Sequence, residues 1–217
     1  MSSQQIDQYW GALLDAGLIE TERHHEFRDG LHGYKADFEA VAPPGSDLFN
    51  EGVGLLAEYV TDKQHYLSPP DTVIGVANGA NQLALALAEE LGSKVSGLQT
   101  VKNRDDPSML EFPFFSERRL GFSSSKFALV IDDIGTSGSS TAQVAQLCKG
   151  LDVPRVEALY LLQRSTSLQN LGRIGVSYQA LIKYPMDNLT PDECYEVGPC
   201  SVGVELVEHP NRRHPVS

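Results

Sequence analysis

The stretch "LVIDDIGTSGSST", from Leu129 to Thr141, constrains the fold more than any other part of this sequence. Three apolar residues are followed by two carboxylates and then by a run rich in glycines and hydroxyls. This order is typical of a strand that leaves a buried core and turns at its surface. Strands in α/β sheets end in this way where ligands bind. The stretch therefore predicts a strand, a ligand-binding turn and the start of a helix.

Strand and helix patterns alternate along the middle of the chain. Continuous apolar runs at 72–77, 127–132 and 155–163 predict buried strands. The spacing of apolar residues at 81–92 and 139–150 predicts helices. Such alternation implies a mostly parallel, twisted sheet with helices on both faces. We expect one α/β domain over residues 1–217, because this length suffices for one sizeable core.

The flanking segments are less regular. An amphipathic helix is predicted at 6–19, a hairpin at 27–41 and a further helix at 48–66. Residues 103–125 have no period and many breakers, which predicts a long loop of the kind that often serves as a lid. The stretch 176–184 suits either a strand or a helix.

Charge and composition narrow the possible partners. The net charge is −12, with 17 basic against 29 acidic residues, so we expect no nucleic-acid partner. No apolar stretch is long enough to span a bilayer and the N-terminus has no signal-like pattern, so we expect no membrane partner and a cytoplasmic protein. The three cysteines show no CxxC pair and are interpreted as mostly structural, and the neighbours His24 and His25 as solvated surface.

The turn after the acidic pair has the chemistry of an anion site. Backbone N–H groups converge where a strand passes into a helix, and the hydroxyls add uncharged donors. Asp132 and Asp133 are acceptors, which suits the vicinal hydroxyls of a sugar or the water shell of Mg²⁺. Gly135 and Gly138 allow the backbone to approach a phosphate closely. The alternative is structural, with two aspartates at a strand end and serines that begin a helix.

A second strand, glycine turn and helix start occurs at 77–80, at the same predicted edge of the sheet. Two anion sites and a diol site suit a sugar phosphorylated at both ends. Taken alone, this second turn is more often structural.

The signature "ALVIDDIGTSGSST" resembles the PRPP-binding motif of the type I phosphoribosyltransferases. Three further stretches are similar to the orotate branch of that family: "FRDGLHGY", with Arg28 at a basic position, "VIGVANGANQLALALAEELG", and "LYLLQR", which ends in Arg164. The resemblance covers about residues 25 to 207. It implies a core at about 48–164 and a small hood built from about 20–45 and 165–207.

The resemblance also assigns roles to single residues. Asp132 and Asp133 would hold the ribose hydroxyls and Mg²⁺, and Arg28 and Arg164 would face the base. The 5′-phosphate would lie on Thr136, Ser137, Gly138, Ser139 and Ser140. Pyrophosphate would lie on Ala77, Asn78, Gly79 and Ala80. The family transfers a phosphoribosyl group from PRPP to a nitrogenous base with Mg²⁺, and its members are often homodimers.

Several positions depart from the orotate pattern. The lid segment has only Lys102 and Arg104 as catalytic cations, followed by Asp105 and Asp106, and Gln163 replaces an expected acid. Two functions therefore stay open. The favoured one is an orotate-like phosphoribosyltransferase, and the alternative is a non-catalytic module of the same fold that senses PRPP or nucleotides.

Overall fold

A computed structural model of the chain describes residues 2–27, 30–62, 68–77, 79–113, 125–186 and 188–208. Five parallel strands form the main sheet, in the order β4-β3-β7-β8-β9. Their bounds are Thr72–Gly75 (β3), Ser96–Gln99 (β4), Phe127–Gly135 (β7), Arg155–Gln163 (β8) and Ser177–Lys183 (β9).

Helices cover both faces of this sheet. Their bounds are Ser3–Asp15 (α1), Phe38–Val41 (α2), Asp47–Thr61 (α3), Gly79–Leu91 (α4), Ser139–Gly150 (α5), Gln169–Arg173 (α6) and Pro191–Val197 (α7). Alternate residues of β7 enter separate cores, because side chains in a strand point to opposite faces. Leu129 and Ile131 pack with α1, α3 and α4, whereas Ala128 and Val130 pack with α5.

A second sheet of three strands lies outside the main one. It has the order β10-β1-β2, with bounds Ile19–Glu26 (β1), His32–Ala36 (β2) and Glu205–Val207 (β10). β1 and β2 are antiparallel, and the C-terminal β10 pairs with β1 in parallel. We call this sheet, together with α7 and the 3₁₀ helix Pro199–Val202, the hood. It joins N- and C-terminal segments, as expected.

The expected fold class, a parallel α/β sheet with a small hood, is confirmed. The hood was expected to include all of 165–207, but β9 within that range pairs with β8 and is the last strand of the main sheet. The stretch 176–184 thus forms a strand rather than a helix, because its backbone pairs with β8. The single-domain organisation of residues 1–217 stays a prediction.

The expected long loop has structure in its first part. Val101–Lys102 (β5) and Leu110–Glu111 (β6) form a small antiparallel hairpin. The Asn103 side chain accepts hydrogen bonds from the Asp105 and Asp106 amides, both at 2.9 Å, and so closes the turn. Residues 114–124 lie outside the described residues.

Within the described part of the chain, no helix is both long and apolar enough to cross a membrane.

Candidate active site

The loop between β7 and α5 holds the predicted phosphate residues together. Helix α5 begins after Gly138, whose φ of 70° lies in the left-handed region, and no side chain caps this helix end. The Ser139 amide donates to the Ser137 hydroxyl at 3.4 Å, whereas no side-chain acceptor for the Ser140 and Thr141 amides is found among the described residues. The positive end of the helix dipole therefore lies at the loop. Four hydroxyl side chains surround it and are exposed: Thr136, Ser137, Ser139 and Ser140.

The two glycines of this loop serve different purposes. At Gly138, a Cβ would lie 3.3 Å from Cβ of Leu168 in addition to the positive φ, so only glycine suits the turn. At Gly135, a Cβ would lie 2.8 Å from the ring of Tyr160. Gly135 therefore makes room for the Tyr160 ring on β8, and its approach to phosphate stays a prediction.

Asp132 and Asp133 lie at the carboxyl end of β7. An Asp132 oxygen accepts a hydrogen bond from the Thr141 hydroxyl at 2.7 Å, and an Asp133 oxygen accepts one from the Ile134 amide at 2.8 Å. Burial raises the pKa of Asp132 well above its usual range, and the neighbouring Asp133 raises it further. Burial also raises the pKa of Asp133. Two adjacent carboxylates of this kind suit a divalent cation with oxygen ligands, because its charge offsets theirs.

The second predicted loop meets the first at Gly79. A Cβ on Gly79 would lie 2.7 Å from an oxygen of Asp133, so the start of α4 is in contact with the acidic pair. The structure thus brings both predicted loops to one edge of the sheet. Asn78, the central residue of the predicted pyrophosphate turn, lies outside the described residues.

Thr100, which the sequence did not single out, closes this second loop. Its buried hydroxyl donates to the Gly75 carbonyl at 2.7 Å and accepts from the Ala77 amide at 3.0 Å. The Asn81 amide side chain bonds both the carbonyl and the amide of Thr100, at 2.8 and 3.1 Å. The Ala77 amide therefore already has a partner, and contact of pyrophosphate with residues 77–80 stays a prediction.

Arg164 is buried directly after β8, with 4% of its surface exposed. Its guanidinium donates to the Asn188 side chain at 2.9 Å and lies 5.0 Å from the centre of the Phe27 ring. Burial lowers the pKa of Arg164, and its Nε has no hydrogen-bond partner. Within the described residues no carboxylate forms an ion pair with it. A buried cation without an anion is suited to an anionic ligand.

A cavity of about 790 Å³ lies between the phosphate loop and the hood. Phe27 and Leu31 of the hood hairpin line one side, and Thr136 and Ser137 line another. The rest of the lining comes from the segment after β8 and from Asn188: Ser167, Gln169, Asn170 and Arg173. Sequence reasoning missed Arg173 and Asn188, since neither lies in a motif. Arg28, the other residue expected at the base, lies outside the described residues.

The expected lid cations lie on the β5–β6 hairpin. Lys102 and Arg104 are both exposed, and no ion pair to either is found among the described residues. The hairpin packs on α5, where Gln143 accepts a hydrogen bond from the Leu110 amide at 3.0 Å and donates one to the Ser108 carbonyl at 3.1 Å. The structure therefore fixes the base of this segment beside α5.

Comparisons with known proteins agree with this fold. No protein-family model matches the chain. The curated orotate phosphoribosyltransferase of Caldicellulosiruptor saccharolyticus is 28% identical over 162 residues, which are 73% of this chain and 72% of that relative.

Solved structures show the same architecture at lower identity. The crystal structure of orotate phosphoribosyltransferase from Aeropyrum pernix matches with a TM-score of 0.62 and 21% identity, over 80% of this chain and 92% of that one. Adenine phosphoribosyltransferase from Saccharomyces cerevisiae matches with a TM-score of 0.60 and 16% identity, over 83% and 99%. Fold similarity at this level does not distinguish the two bases. In its signature motif, its fold and its curated relative, this chain is thus similar to the type I phosphoribosyltransferases and most of all to their orotate branch.

Proposed function

We propose that this protein is a Mg²⁺-dependent phosphoribosyltransferase that transfers the phosphoribosyl group of PRPP to a nitrogenous base and releases pyrophosphate. One observation carries the proposal: the acidic pair and the open N-terminus of α5 lie at the end of one strand, beside a cavity of about 790 Å³. Diol acceptors next to an anion site suit a sugar phosphate.

The proposed reaction exchanges one bond at the anomeric carbon. The bond to the pyrophosphate oxygen breaks and that oxygen keeps the electron pair, while a ring nitrogen of the base forms the new bond to carbon. Any proton on that nitrogen passes to solvent. Asp132 and Asp133 orient the ribose by accepting its hydroxyls, and the α5 N-terminus holds the 5′-phosphate. Mg²⁺ bound near the acidic pair supplies positive charge for the leaving diphosphate.

The acceptor we favour is orotate or a similar base that carries an anionic group. Arg164 supports this choice, because its Nε is buried without a partner and no described carboxylate pairs with it. A guanidinium can bind a carboxylate with two parallel hydrogen bonds. Asn188, which bonds Arg164 and lines the cavity, would fix the plane of the guanidinium.

Pyrophosphate release from PRPP and Mg²⁺ tests the proposal with orotate, uracil, xanthine, hypoxanthine and adenine as acceptors. We expect release with one base, and a fall in kcat/KM of about 10²- to 10³-fold in Asp133→Asn. Asp105→Asn, at an exposed carboxylate on the β5–β6 hairpin, is the matched control and should retain wild-type activity. Release that is equal in both variants contradicts the assigned role of Asp133.

The alternative function is a PRPP- or nucleotide-binding module without catalysis. Two observations favour it: the lid cations Lys102 and Arg104 are exposed, and the Ala77 amide already bonds Thr100. Such a module would show a rise in melting temperature with PRPP and Mg²⁺ but no pyrophosphate release with any base. The same assay therefore separates the two functions.

A homodimer, which rests on the resemblance, and a cytoplasmic location belong to the same proposal. Several large apolar side chains of the hood are exposed, among them Tyr195, Val197 and Val202, which would suit contact with a second copy. Sedimentation of the purified chain measures the oligomeric state directly.

A further inference from the structure

Four metal-binding side chains from four segments meet inside the hood. They are His24 on β1, His32 at the start of β2, Cys194 on α7 and Cys200 in the 3₁₀ helix, and their ligating atoms all lie within 4.8 Å of one another. His24, His32 and Cys194 are buried, with 0%, 4% and 0% of their surfaces exposed. The expectation that His24 lies on a solvated surface is therefore wrong. Its neighbour His25 faces away and bonds Glu20 at 2.7 Å.

Three of the six distances between ligating atoms lie close to those of a tetrahedral metal site, and the other three do not exceed 4.8 Å. Nε2 of His24 lies 3.1 Å from Sγ of Cys200 and 3.6 Å from Sγ of Cys194, and Sγ of Cys200 lies 3.6 Å from Nδ1 of His32. Zinc bonds of about 2.3 Å to sulfur and about 2.0 to 2.1 Å to nitrogen place tetrahedral ligands about 3.3 to 3.8 Å apart. Small shifts of these side chains would therefore suffice to enclose one ion.

Packing alone does not explain the arrangement. Two buried imidazoles would be poor core residues, because buried polar groups cost free energy unless they are paired, and the thiols beside them are weak hydrogen-bond partners. The histidine rings are 5.7 Å apart and tilted by 57°, so they are not stacked. The Cys200 amide donates to Cys194 Sγ at 3.4 Å, and such a hydrogen bond would stabilise a metal-bound thiolate.

We propose that His24, His32, Cys194 and Cys200 bind one structural Zn²⁺ ion in the hood. Two sulfur and two nitrogen ligands in a tetrahedron select zinc over Mg²⁺ or Ca²⁺. Four protein ligands fill the coordination sphere, so the ion has no open position for substrate. This site is separate from the acidic pair and does not depend on the proposed phosphoribosyl transfer.

The ion would fix the hood wall of the active-site cavity. His32 exchanges two backbone hydrogen bonds with Leu189, at 2.7 and 2.8 Å. Each of these residues has a neighbour that lines the cavity: Leu31 precedes His32, and Asn188 precedes Leu189 and bonds Arg164. The hood sheet itself is small, with only three residues in β10, and small units are commonly stabilised by a metal. Metal loss should therefore loosen the hood before the main sheet.

Metal analysis of the purified chain tests the site. The protein is produced in zinc-supplemented medium, without a polyhistidine tag, and its zinc is measured by mass spectrometry. We expect about one zinc per chain in the wild type and a loss to background in Cys194→Ser and Cys200→Ser. Cys148→Ser is the matched control, because Cys148 lies on α5, buried against the main sheet and away from the cluster, and the change should leave the zinc content unchanged.

A second pair of variants uses the adjacent histidines. His24→Gln should lose the zinc, whereas His25→Gln, one residue away and bonded to Glu20, should retain it. Zinc that stays in His24→Gln and in both cysteine variants would overturn the proposal.

Two measurements on the wild type keep the test decisive if the variants do not fold. Replacing the ion with Co²⁺ should give thiolate-to-cobalt charge-transfer bands and the visible bands of a tetrahedral site. Thiol titration of the unreduced, denatured protein, after chelation of metal, should find all three cysteines free. No bound metal and no cobalt spectrum would refute the site, and a Cys194–Cys200 disulfide would refute it as well.

Discussion

The two strand-to-helix loops at the edge of the main sheet have similar sequence patterns and differ in what their backbone is free to bind. In the loop after β7, the helix has no side-chain cap and the hydroxyls of Thr136 and Ser137 are exposed. In the loop after β3, the Ala77 amide and the Gly75 carbonyl are both bonded to the buried Thr100. We call these the open loop and the closed loop.

This difference teaches that a strand, a glycine turn and a helix do not by themselves make an anion site. The residues that face the turn decide whether its amides have partners already. Thr100 lies 25 positions after Gly75 in the chain, and it reaches the closed loop only because β3 and β4 are paired. The distant side chain that reaches the open loop is Asn170, which donates to the Ser137 carbonyl at 3.0 Å and so occupies no backbone amide. We place the 5′-phosphate there for this reason.

We expect the largest difference between the two loops in the stability of two variants, Thr100→Val in the closed loop and Thr136→Val in the open loop. Thr100→Val keeps the shape but leaves the Ala77 amide and the Gly75 carbonyl without their hydroxyl partner. The Gly75 carbonyl still accepts from the Thr100 amide at 3.3 Å, so the Ala77 amide is the group left unsatisfied. We expect the free energy of unfolding to fall by about 2 kcal/mol, since a buried unsatisfied group costs about 1 to 3 kcal/mol. Thr136→Val, in the open loop, should change it by less than about 0.5 kcal/mol. Urea denaturation measures both.

Thr100→Ser is the control for lost packing, because it removes a methyl group and keeps the hydroxyl. We expect it to be clearly more stable than Thr100→Val. Equal stability of these two variants would mean that the hydroxyl bonds do not hold the closed loop, and the comparison between the loops would fail.

A smaller effect of opposite sign is expected at the acidic pair beside the open loop. Burial and the charge of Asp133 raise the pKa of Asp132, so the folded state binds this proton more tightly than the unfolded state. The contribution of this group to stability is therefore present below the unfolded pKa and is lost as the pH rises through the raised value. The Asp132→Asn variant does not show this loss, because an amide side chain does not ionise. Without Mg²⁺ or PRPP, we expect it to be more stable than the wild type by about 1 kcal/mol at pH 7, or about 2 to 4 °C.

Thermal unfolding from pH 4 to pH 8 checks this sign. The gap between Asp132→Asn and the wild type should open as the pH rises and close toward pH 4, while Asp105→Asn should follow the wild type throughout. A wild type that gains stability over Asp132→Asn with rising pH contradicts the expected cost of the acidic pair. A gap that opens with rising pH would mean that the ionised acidic pair lowers the stability of the free protein, as expected for residues kept for binding.

The sequence predicted those parts of the fold that depend on near neighbours. Helix Ser139–Gly150 and strand Arg155–Gln163 lie where the pattern placed them, because apolar periodicity and a glycine turn are local signals. The opening stretch also placed Asp132, Asp133 and the exposed hydroxyls correctly at a strand end. Their contact with a ligand stays a prediction.

The remainder was not predictable from local pattern, because it depends on residues far apart in the chain. His24 and Cys200 are separated by 176 positions, and neither belongs to a spaced metal motif. Arg164 was assigned to the base through its resemblance, but its unpaired Nε and its contact with Asn188 depend on a segment that follows it by 24 positions. Tertiary pairing of β1, β2 and the C-terminal segment brings such residues together.

The smallest effect is expected at the lid cation Lys102, which lies on β5 and is exposed without a described ion pair. An exposed cation that approaches pyrophosphate contributes about 0.5 to 1 kcal/mol, so Lys102→Ala should lower kcat/KM about two- to fivefold. The loss should shrink at high salt, because screening weakens exposed charge pairs. Lys94→Ala is the matched control. Lys94 precedes β4 and so lies at the amino end of the parallel strands, whereas the candidate site lies at their carboxyl ends, and the change should have no effect. A loss in Lys102→Ala above about 30-fold and independent of salt would mean that this segment closes over the open loop and excludes water there, which would make the lid a third part of the catalytic site.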